Sequence, residues 1–474
     1  MKKAVFAALI AASFLLSSCG AAAPAATEGT TGEITTEKEA VTLTGTTNEA
    51  QTKAVTEAPV GNETERYFIF RIWNFTERNI STFKSIIDSV AETGFNAVKI
   101  HIPWHRVEAT EGVYDFSAFD EMFDYVINVK GMKAAVSVDF CRKSDGNFIP
   151  DEDLQKDSRG NVTKDGPYYA RSAISFCSEY AVNKAAEFYE KTVLHYDGLY
   201  GDRILLYLPA FSQYCETEYW CAAEYDYSDK ATAAFRNELA QTYSLEELNK
   251  LTGKSYASFD DVQPPSCSSV DALGRLWYKF RQGRLKAVID RLASVQKAAC
   301  PQTKIAVQFG SVFDYSVLLR GTVDFVSLCE NADVVWVDDA PTYDHAFSMD
   351  YIRVLADQCK EIAQEIDGPL QYNASRDNYL AQGLISYERG AKYVSIANWG
   401  IDDKYYAYED VWKQLIGTWL SDEPPATIDR SGEPTLTVSL SKVFKNKSAQ
   451  SYQTKFDKLM KTNKCVKIVI ENDL

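Results

Sequence analysis

The feature that most constrains the fold is an alternation running from about Arg66 to about Leu420. Short β-type apolar runs are separated there by longer amphipathic stretches of helical period. Strands are expected at 67–74, 97–102, 133–139, 204–209, 304–309, 334–337, 370–372 and 393–396. Helical patterns cover 81–93, 117–130, 178–196, a compound segment including 231–242 and 272–299, then 315–329, 349–366, 380–389 and 408–420. Alternating β and α units with parallel-type apolar strands imply a parallel sheet. Eight such units predict closure into a single α/β domain, a (β/α)8 TIM barrel. An open doubly wound sheet is the competing arrangement, but neither G-x-G-x-x-G nor G-x-x-x-x-G-K-[ST] is present to form a phosphate site. Two strand-to-helix connections, 141–175 and 215–271, exceed what a barrel needs, and on that side they are expected to wall a cleft.

Residues outside the alternation have other expected roles. Met1-Lys2-Lys3 followed by an apolar run from Ala4 to Leu16 is too short to span a bilayer and suits a signal peptide. The ending Leu16-Ser17-Ser18-Cys19 resembles the bacterial lipobox, which implies acylation of Cys19 and a lipid-anchored, extracytoplasmic place in the cell envelope; an ordinary secretory signal is the alternative. Residues 1–19 are then an address and 20–63 a tether dominated by Thr, Ala, Glu and Gly, too poor in apolar groups to offset its ordering entropy. The barrel is expected at 64–421, and 422–474 form a polar C-terminal appendage with a basic stretch at 442–464. A formal net charge of -16 argues against nucleic acid as a partner. Nine cysteines besides Cys19 include no C-x-x-C pair, so buried thiols are expected, with no metal and no cofactor.

In a barrel, residues at the C-terminal strand ends converge on one mouth. They read Arg71, Trp73 and Asn74; His101 and Trp104; Asp139; Glu216 and Glu218 just beyond strand four; Gln308; Asp338 and Asp339; Asn373; Asn398 and Trp399. This is a set of carboxylates, amides and indoles with no Ser-His-Asp or Cys-His arrangement. Sugars offer CH faces to aromatic rings and hydroxyls to carboxylates and amides, and cleaving a glycosidic bond takes two carboxyl groups. The mouth is therefore expected to take carbohydrate, with Arg71, Trp73, His101, Trp104, Asp139, Trp220, Trp336, Asp339, Asn373 and Trp399 as binding candidates. Each has a structural alternative. Any one Trp can be core, Asp338-Asp339 can cap a helix, and His101 can be a satisfied core histidine.

The run from Gly94 to Trp104, followed by Val107-Glu108, Glu111 to Phe116 and Phe119-Asp120, resembles the second-strand region of clan A glycoside hydrolases, especially the family 42 β-galactosidases. The segment Leu208 to Tyr219 is similar to the strand-four region of the same family and to a β-amylase pattern. The resemblance implies a general acid/base Glu after strand four. That residue is Glu216 in the β-amylase-like register and Glu218 in the family 42 register. It also implies a nucleophile Glu ending strand seven, and Leu370 to Asp377 holds no Glu, so Asp338 is the expected second carboxylate, with Asp339 and Asp377 as substitutes. Two functions stay open: a lipid-anchored glycoside hydrolase, or a glycan-binding lipoprotein on a barrel that has lost its strand-seven acid.

Overall fold

The computed structural model describes residues 65–72, 80–143, 148–162, 171–212, 215–221, 223–339, 344–358, 360–366, 375–398, 408–421 and 426–474. All fall in the second of the two units into which the chain divides, 1–61 and 62–474.

Eight parallel strands close into a barrel: β1 (Tyr67–Ile72), β2 (Ala97–Pro103), β3 (Lys133–Asp139), β4 (Ile204–Ala210), β5 (Lys304–Phe309), β6 (Val334–Asp339), β7 (Glu361–Ile366) and β8 (Tyr393–Asn398). Each pairs with its neighbour in chain order, and β8 closes on β1 in a register from Tyr67↔Tyr393 to Ile72↔Asn398. Helices α1 (Ile80–Thr93), α2 (Ser117–Asp124), α3 (Glu179–Tyr200), α4 (Asp229–Thr242), α5 (Leu245–Thr252), α6 (Ala272–Ala299), α7 (His345–Ile352), α8 (Arg376–Glu388) and α9 (Glu409–Trp419) follow the strands. This is the expected (β/α)8 barrel.

Alternation along the strands sorts side chains between two cores. Tyr67, Ile69, Ala97, Ala135, Leu206, Leu208, Ala306, Val334, Trp336, Ala363 and Tyr393 fill the barrel interior. Their neighbours of opposite parity, such as Phe68, Phe70, Val98 and Ile100, face the helices. The helices start where their caps allow. Ser178 Oγ accepts from Ala181 N at 3.1 Å to begin α3, and Asp271 accepts from Gly274 N at 2.7 Å to begin α6. On α6 the buried positions Leu285, Val288, Ile289 and Leu292 recur at helical spacing, and Tyr189 of α3 donates to Gln296 Oε1 at 2.5 Å.

One strand is not where the sequence pattern puts it. Strand seven is Glu361–Ile366, inside the stretch expected as a helix over 349–366, and it pairs with β6 and β8 on its two sides. The expected strand at 370–372 lies outside the described residues. The helix expected over 315–329 is two short turns, Val317–Arg320 and Phe325–Leu328, separated at Gly321, whose φ is 79°.

The two long insertions pack on one another. Asp226 in the second accepts from Ser175 Oγ (2.5 Å) and Lys156 N (3.1 Å) of the first, and Tyr227 N donates to Lys156 O at 2.8 Å. Beyond the barrel, β9 (Thr435–Ser439) and β10 (Lys467–Glu471) pair in parallel, with α10 (Leu440–Asn446) and α11 (Gln453–Met460) between them. This appendage shares the outer core through Leu436, Val438, Val443, Phe444, Phe456 and Ile468. Val466 N and Arg430 Nη1 both reach the buried Asp350 of α7, at 2.9 and 3.2 Å.

Candidate active site

The polar residues of the barrel interior gather above the apolar filling, toward the C-terminal ends of the strands. Arg71 (β1), Lys99 (β2), Gln308 (β5), Asp338 (β6), Glu365 (β7) and Ser395 (β8) share the interior parity. Glu365 stands in register between Asp338 and Ser395. Arg71 Nη1 is ion-paired with Glu365 Oε1 and lies 3.8 Å from Asp338 Oδ2. Lys99 Nζ donates to Glu365 Oε2 at 2.8 Å and to Gln308 Oε1 at 2.7 Å, and it sits 4.3 Å above the Trp336 ring. Ser395 Oγ donates to Glu365 Oε2 at 2.8 Å. Arg71 Nε also donates to His101 Nε2 at 3.3 Å.

These contacts divide the charges unequally. Burial pushes the Glu365 carboxyl up, but Arg71 and Lys99 together overcome it and hold the group at about 2. Lys99 is also lowered, to about 8, which weakens its charge, because its burial and the nearby Arg71 outweigh the attraction of Glu365. The two ends of one contact differ because Glu365 faces two cations while Lys99 shares its anion with Arg71.

Two further carboxyls follow β4. A tight turn closes on Glu216, whose carbonyl accepts from Phe211 N (2.8 Å) and Ser212 N (3.1 Å). Cys215 within that turn has a φ of 66°. Glu216 is buried and accepts from Ser212 Oγ. Burial raises its carboxyl, Arg320 and Arg71 lower it, and Glu365 adds to the rise. Glu218 accepts from Arg320 Nη1 at 2.6 Å and from Gly310 N at 3.1 Å. Its carboxyl is pushed up to about 8 by burial, against the pull of Arg320, with Glu216 adding to the rise. Glu216 thus feels Arg320, Arg71 and Glu365, while Glu218 is bonded to Arg320 and to Gly310 at the start of the loop after β5.

The other binding candidates are spread more widely. Trp104 is fully buried outside the barrel, stacked on Phe188 at 5.8 Å and edge-on to Phe140 and Phe148, so it is core and not a platform at the mouth. Its indole donates to Glu108 Oε2 at 2.6 Å, and Glu108 Oε1 accepts from Gly112 N at 2.7 Å. The W-x-x-x-E-x-x-x-G spacing is therefore a clasp that shapes the strand-two exit. Trp220 is buried at the seam of the insertions with Cys141, Ala173 and Tyr225, and donates to Phe211 O at 2.8 Å. Asp139 is buried and accepts from Cys141 N at 2.9 Å. Trp336 lies within the barrel beneath Lys99. Trp73, Asn373 and Trp399, like Cys19, lie outside the described residues, as does the side chain of Asp339.

Glu365, Lys99 and Arg320 were not among the sequence candidates. Lys99 had a signal, since it is two residues before His101 on the same strand face, where a lysine in an apolar alternation has little structural reason to stand.

A parallel barrel with paired carboxyls and arginines at the C-terminal strand ends defines a glycoside-hydrolase type of fold and site. Residues 72–379, well over half of the chain, match the family model described as beta-galactosidase of glycoside hydrolase family 42. The chain belongs to that family. In structure it is similar to the β-galactosidase of the Antarctic haloarchaeon Halorubrum lacusprofundi (15% identity, TM-score 0.61, 82% of this chain and 62% of that one). It is also similar to the β-galactosidase of the psychrophilic Marinomonas ef1 (15%, TM-score 0.62, 82% and 65%) and to the catalytic domain of β-amylase from Paenibacillus polymyxa (13%, TM-score 0.61, 75% and 98%). The chain thus spans a little under two thirds of the length of the two galactosidases.

Proposed function

We propose that the protein is a lipid-anchored, extracytoplasmic glycoside hydrolase cleaving β-galactoside-type bonds in an oligo- or polysaccharide, with Glu216 as general acid/base and Glu365 as nucleophile. The observation that carries this reading is the pairing of Glu365 with both Arg71 and Lys99, which keeps an ionised carboxylate at the end of strand seven. The glycan-binding alternative rested on the absence of an acid from that strand, and Glu365 removes its ground. Glu216, with its carboxyl raised by burial, protonates the leaving oxygen as Glu365 attacks the anomeric carbon. Glu216 then takes the proton from the water that releases the sugar. Glu216 is preferred to Glu218 because Arg71 and Glu365, as well as Arg320, act on it. Asp338, the carboxylate expected from sequence, is assigned the lesser task of balancing Arg71.

The test is turnover of a chromogenic β-galactoside. Glu216→Gln and Glu365→Gln are each expected to lower kcat by about 10³-fold, within the range seen for loss of a catalytic acid or base. Wild-type turnover in both variants, or abolition by Asp338→Asn alone, overturns the assignment. The anchor is supported by the basic start, the apolar run and Leu-Ser-Ser-Cys. Cys19→Ala should move the protein from the detergent phase to the aqueous phase of a membrane extract, and equal partitioning of both forms overturns that part.

A further inference from the structure

The C-terminal appendage carries a charge opposite to that of the chain. Between Lys442 and Lys467 stand eight lysines and a single acid, Asp457, in a chain of 66 acidic and 50 basic side chains. All eight lysines are exposed, and among the described residues none is ion-paired. Barrel lysines such as Lys84, Lys130, Lys184, Lys286, Lys392 and Lys413 are, by contrast, each ion-paired with a carboxylate. Asp473 of the appendage is taken up by the start of α10, where it accepts from Ser439 Oγ (2.7 Å) and Ser441 N (2.8 Å). Like charges gathered without counter-charges repel one another, and a polyanion relieves that repulsion.

The lysines form one face. Lys442 and Lys445 are three residues apart on α10, and Lys455 and Lys458 three apart on α11, with Lys461 three further on, so each set is a stripe. Lys442 Nζ and Lys455 Nζ lie over the same Tyr452 ring, 4.9 and 5.8 Å from its centre, so the two helices present their charges together. The appendage reaches along the flank of the barrel to the mouth. At one end, Arg389, just after α8 and before β8 begins, donates to Lys464 O at 3.1 Å. At the other, beside Lys447, Ser448 Oγ and Ala449 N donate to Phe313 O in the loop after β5, at 2.7 and 3.0 Å. Gln453 Nε2 donates to Asp344 Oδ2, which precedes α7 on the mouth side of β6, at 2.7 Å. The loop after β5 runs on from Phe313 to Arg320, whose Nη1 donates to Glu218 at 2.6 Å.

We propose that this basic face docks an acidic polysaccharide, a glycan bearing carboxylates along its length, and holds it beside the mouth. The choice of a glycan rests on the glycoside-hydrolase reading and on the appendage's contacts with the mouth-side loops. Ammonium groups on flexible stems act as hydrated point charges, which suits carboxylates met at variable spacing without a shaped pocket. A bilayer is the poorer fit. A helix that lies on lipid turns large apolar side chains outward beside its lysines, whereas Val443, Phe444 and Phe456 turn into the core, and Val469 is the one exposed large apolar side chain among the described residues of 426–474.

The experiment measures calorimetric binding of polygalacturonate and of a neutral β-galactan to the full chain. Wild type is compared with Lys455→Gln, Lys458→Gln and Lys461→Gln combined, and with the same three positions changed to Arg. Polygalacturonate affinity is expected to fall about tenfold in the triple Gln variant, to be kept in the triple Arg variant, and to weaken in wild type as salt rises from about 0.05 to 0.2 M. Lys442→Gln with Lys445→Gln, on the other helix, is expected to act in the same direction, which separates lost charge from local damage to α11. Binding of the neutral galactan and turnover of an aryl β-galactoside are expected to stay at wild-type values in every variant. Equal polygalacturonate affinity in wild type and the Gln variants, or no binding in wild type at about 0.05 M salt, overturns the docking face and leaves the hydrolase reading to its own assay. Lysine-dependent polygalacturonate binding by a protein that turns over no glycoside leaves the face standing and removes the hydrolase reading. If vesicles of phosphatidylglycerol and phosphatidylcholine lose more affinity in the triple Gln variant than polygalacturonate does, the face is a membrane contact and the proposal is overturned.

Discussion

Replacing Glu365 by Gln alters charge with little change of shape, and it strikes the anion that Arg71 and Lys99 share. Arg71 keeps Asp338 at 3.8 Å, but Lys99 is left with the neutral Gln308 oxygen at 2.7 Å and the Trp336 face. Removing one partner of a buried ion pair costs about 3–5 kcal/mol. Asp338 offsets part of that for Arg71, so a loss of about 3 kcal/mol is expected at pH 6. The sign of the pH dependence follows from Lys99, at about 8 in the folded protein. Glu365 raises Lys99, so without it Lys99 gives up its proton at a lower pH. The attraction between the two is fully present while Lys99 is protonated and fades as pH rises through about 8. The loss should therefore be smaller at pH 9 than at pH 6, changing by at most about 1.4 kcal/mol per pH unit over that window. Urea unfolding followed by far-UV circular dichroism at the two pH values measures both quantities. A loss below about 1 kcal/mol at pH 6, or the same loss at pH 9, refutes the claim that this network holds buried charge.

Two other perturbations follow from the loop after β5. A Cβ on Gly310 would lie 1.3 Å from Arg320 Nη1, so Gly310→Ala must push the guanidinium off Glu218; a stability loss of about 2–3 kcal/mol is expected by thermal unfolding, and an unchanged midpoint contradicts the packing described. Glu218 is raised to about 8, so between about 4.5 and 8 the folded chain holds a proton that the unfolded chain has released, and this group makes stability fall with rising pH by at most about 1.4 kcal/mol per unit. Glu218→Gln should flatten that slope in denaturant midpoints taken from pH 5 to 8, and an unaltered slope counts against it.

Seven of the eight strands were legible because their inward and outward positions are both largely apolar, as in Lys133–Asp139 and Ile204–Ala210. Strand seven was not, because its interior positions are Glu361, Ala363 and Glu365. The run E-I-A-Q-E-I is made largely of good helix formers, and local propensity yields here to pairing with β6 and β8. Missing that strand left Glu365 out of the sequence candidates, which named Asp338 on β6 as the second carboxylate. Parity carries the rest of the lesson. Lys99 and His101 share a face, so Trp104 falls on the opposite parity and turns out toward α3, whereas Trp336 and Asp338 lie on the interior parity of β6. Position at a strand end placed these residues near the mouth, and only the two-residue period separates those that face it from those that face away.

The charge count at the mouth explains why its acids behave differently. Arg71, Lys99 and Arg320 stand among Glu216, Glu218, Asp314, Asp338 and Glu365, so among the described residues that act on one another here carboxyls outnumber cations. Like charges in a dry site cannot all be ionised, so the deficit falls on the groups least well compensated. Glu365 has two cations and stays charged, and Glu216 and Glu218 share Arg320 and are driven toward the neutral form. One carboxylate kept ionised and another kept ready to give up a proton is the division of labour that breaking a glycosidic bond requires. In this barrel the division is set by where Arg71 and Lys99 stand, two interior positions that a more ordinary barrel fills with apolar side chains.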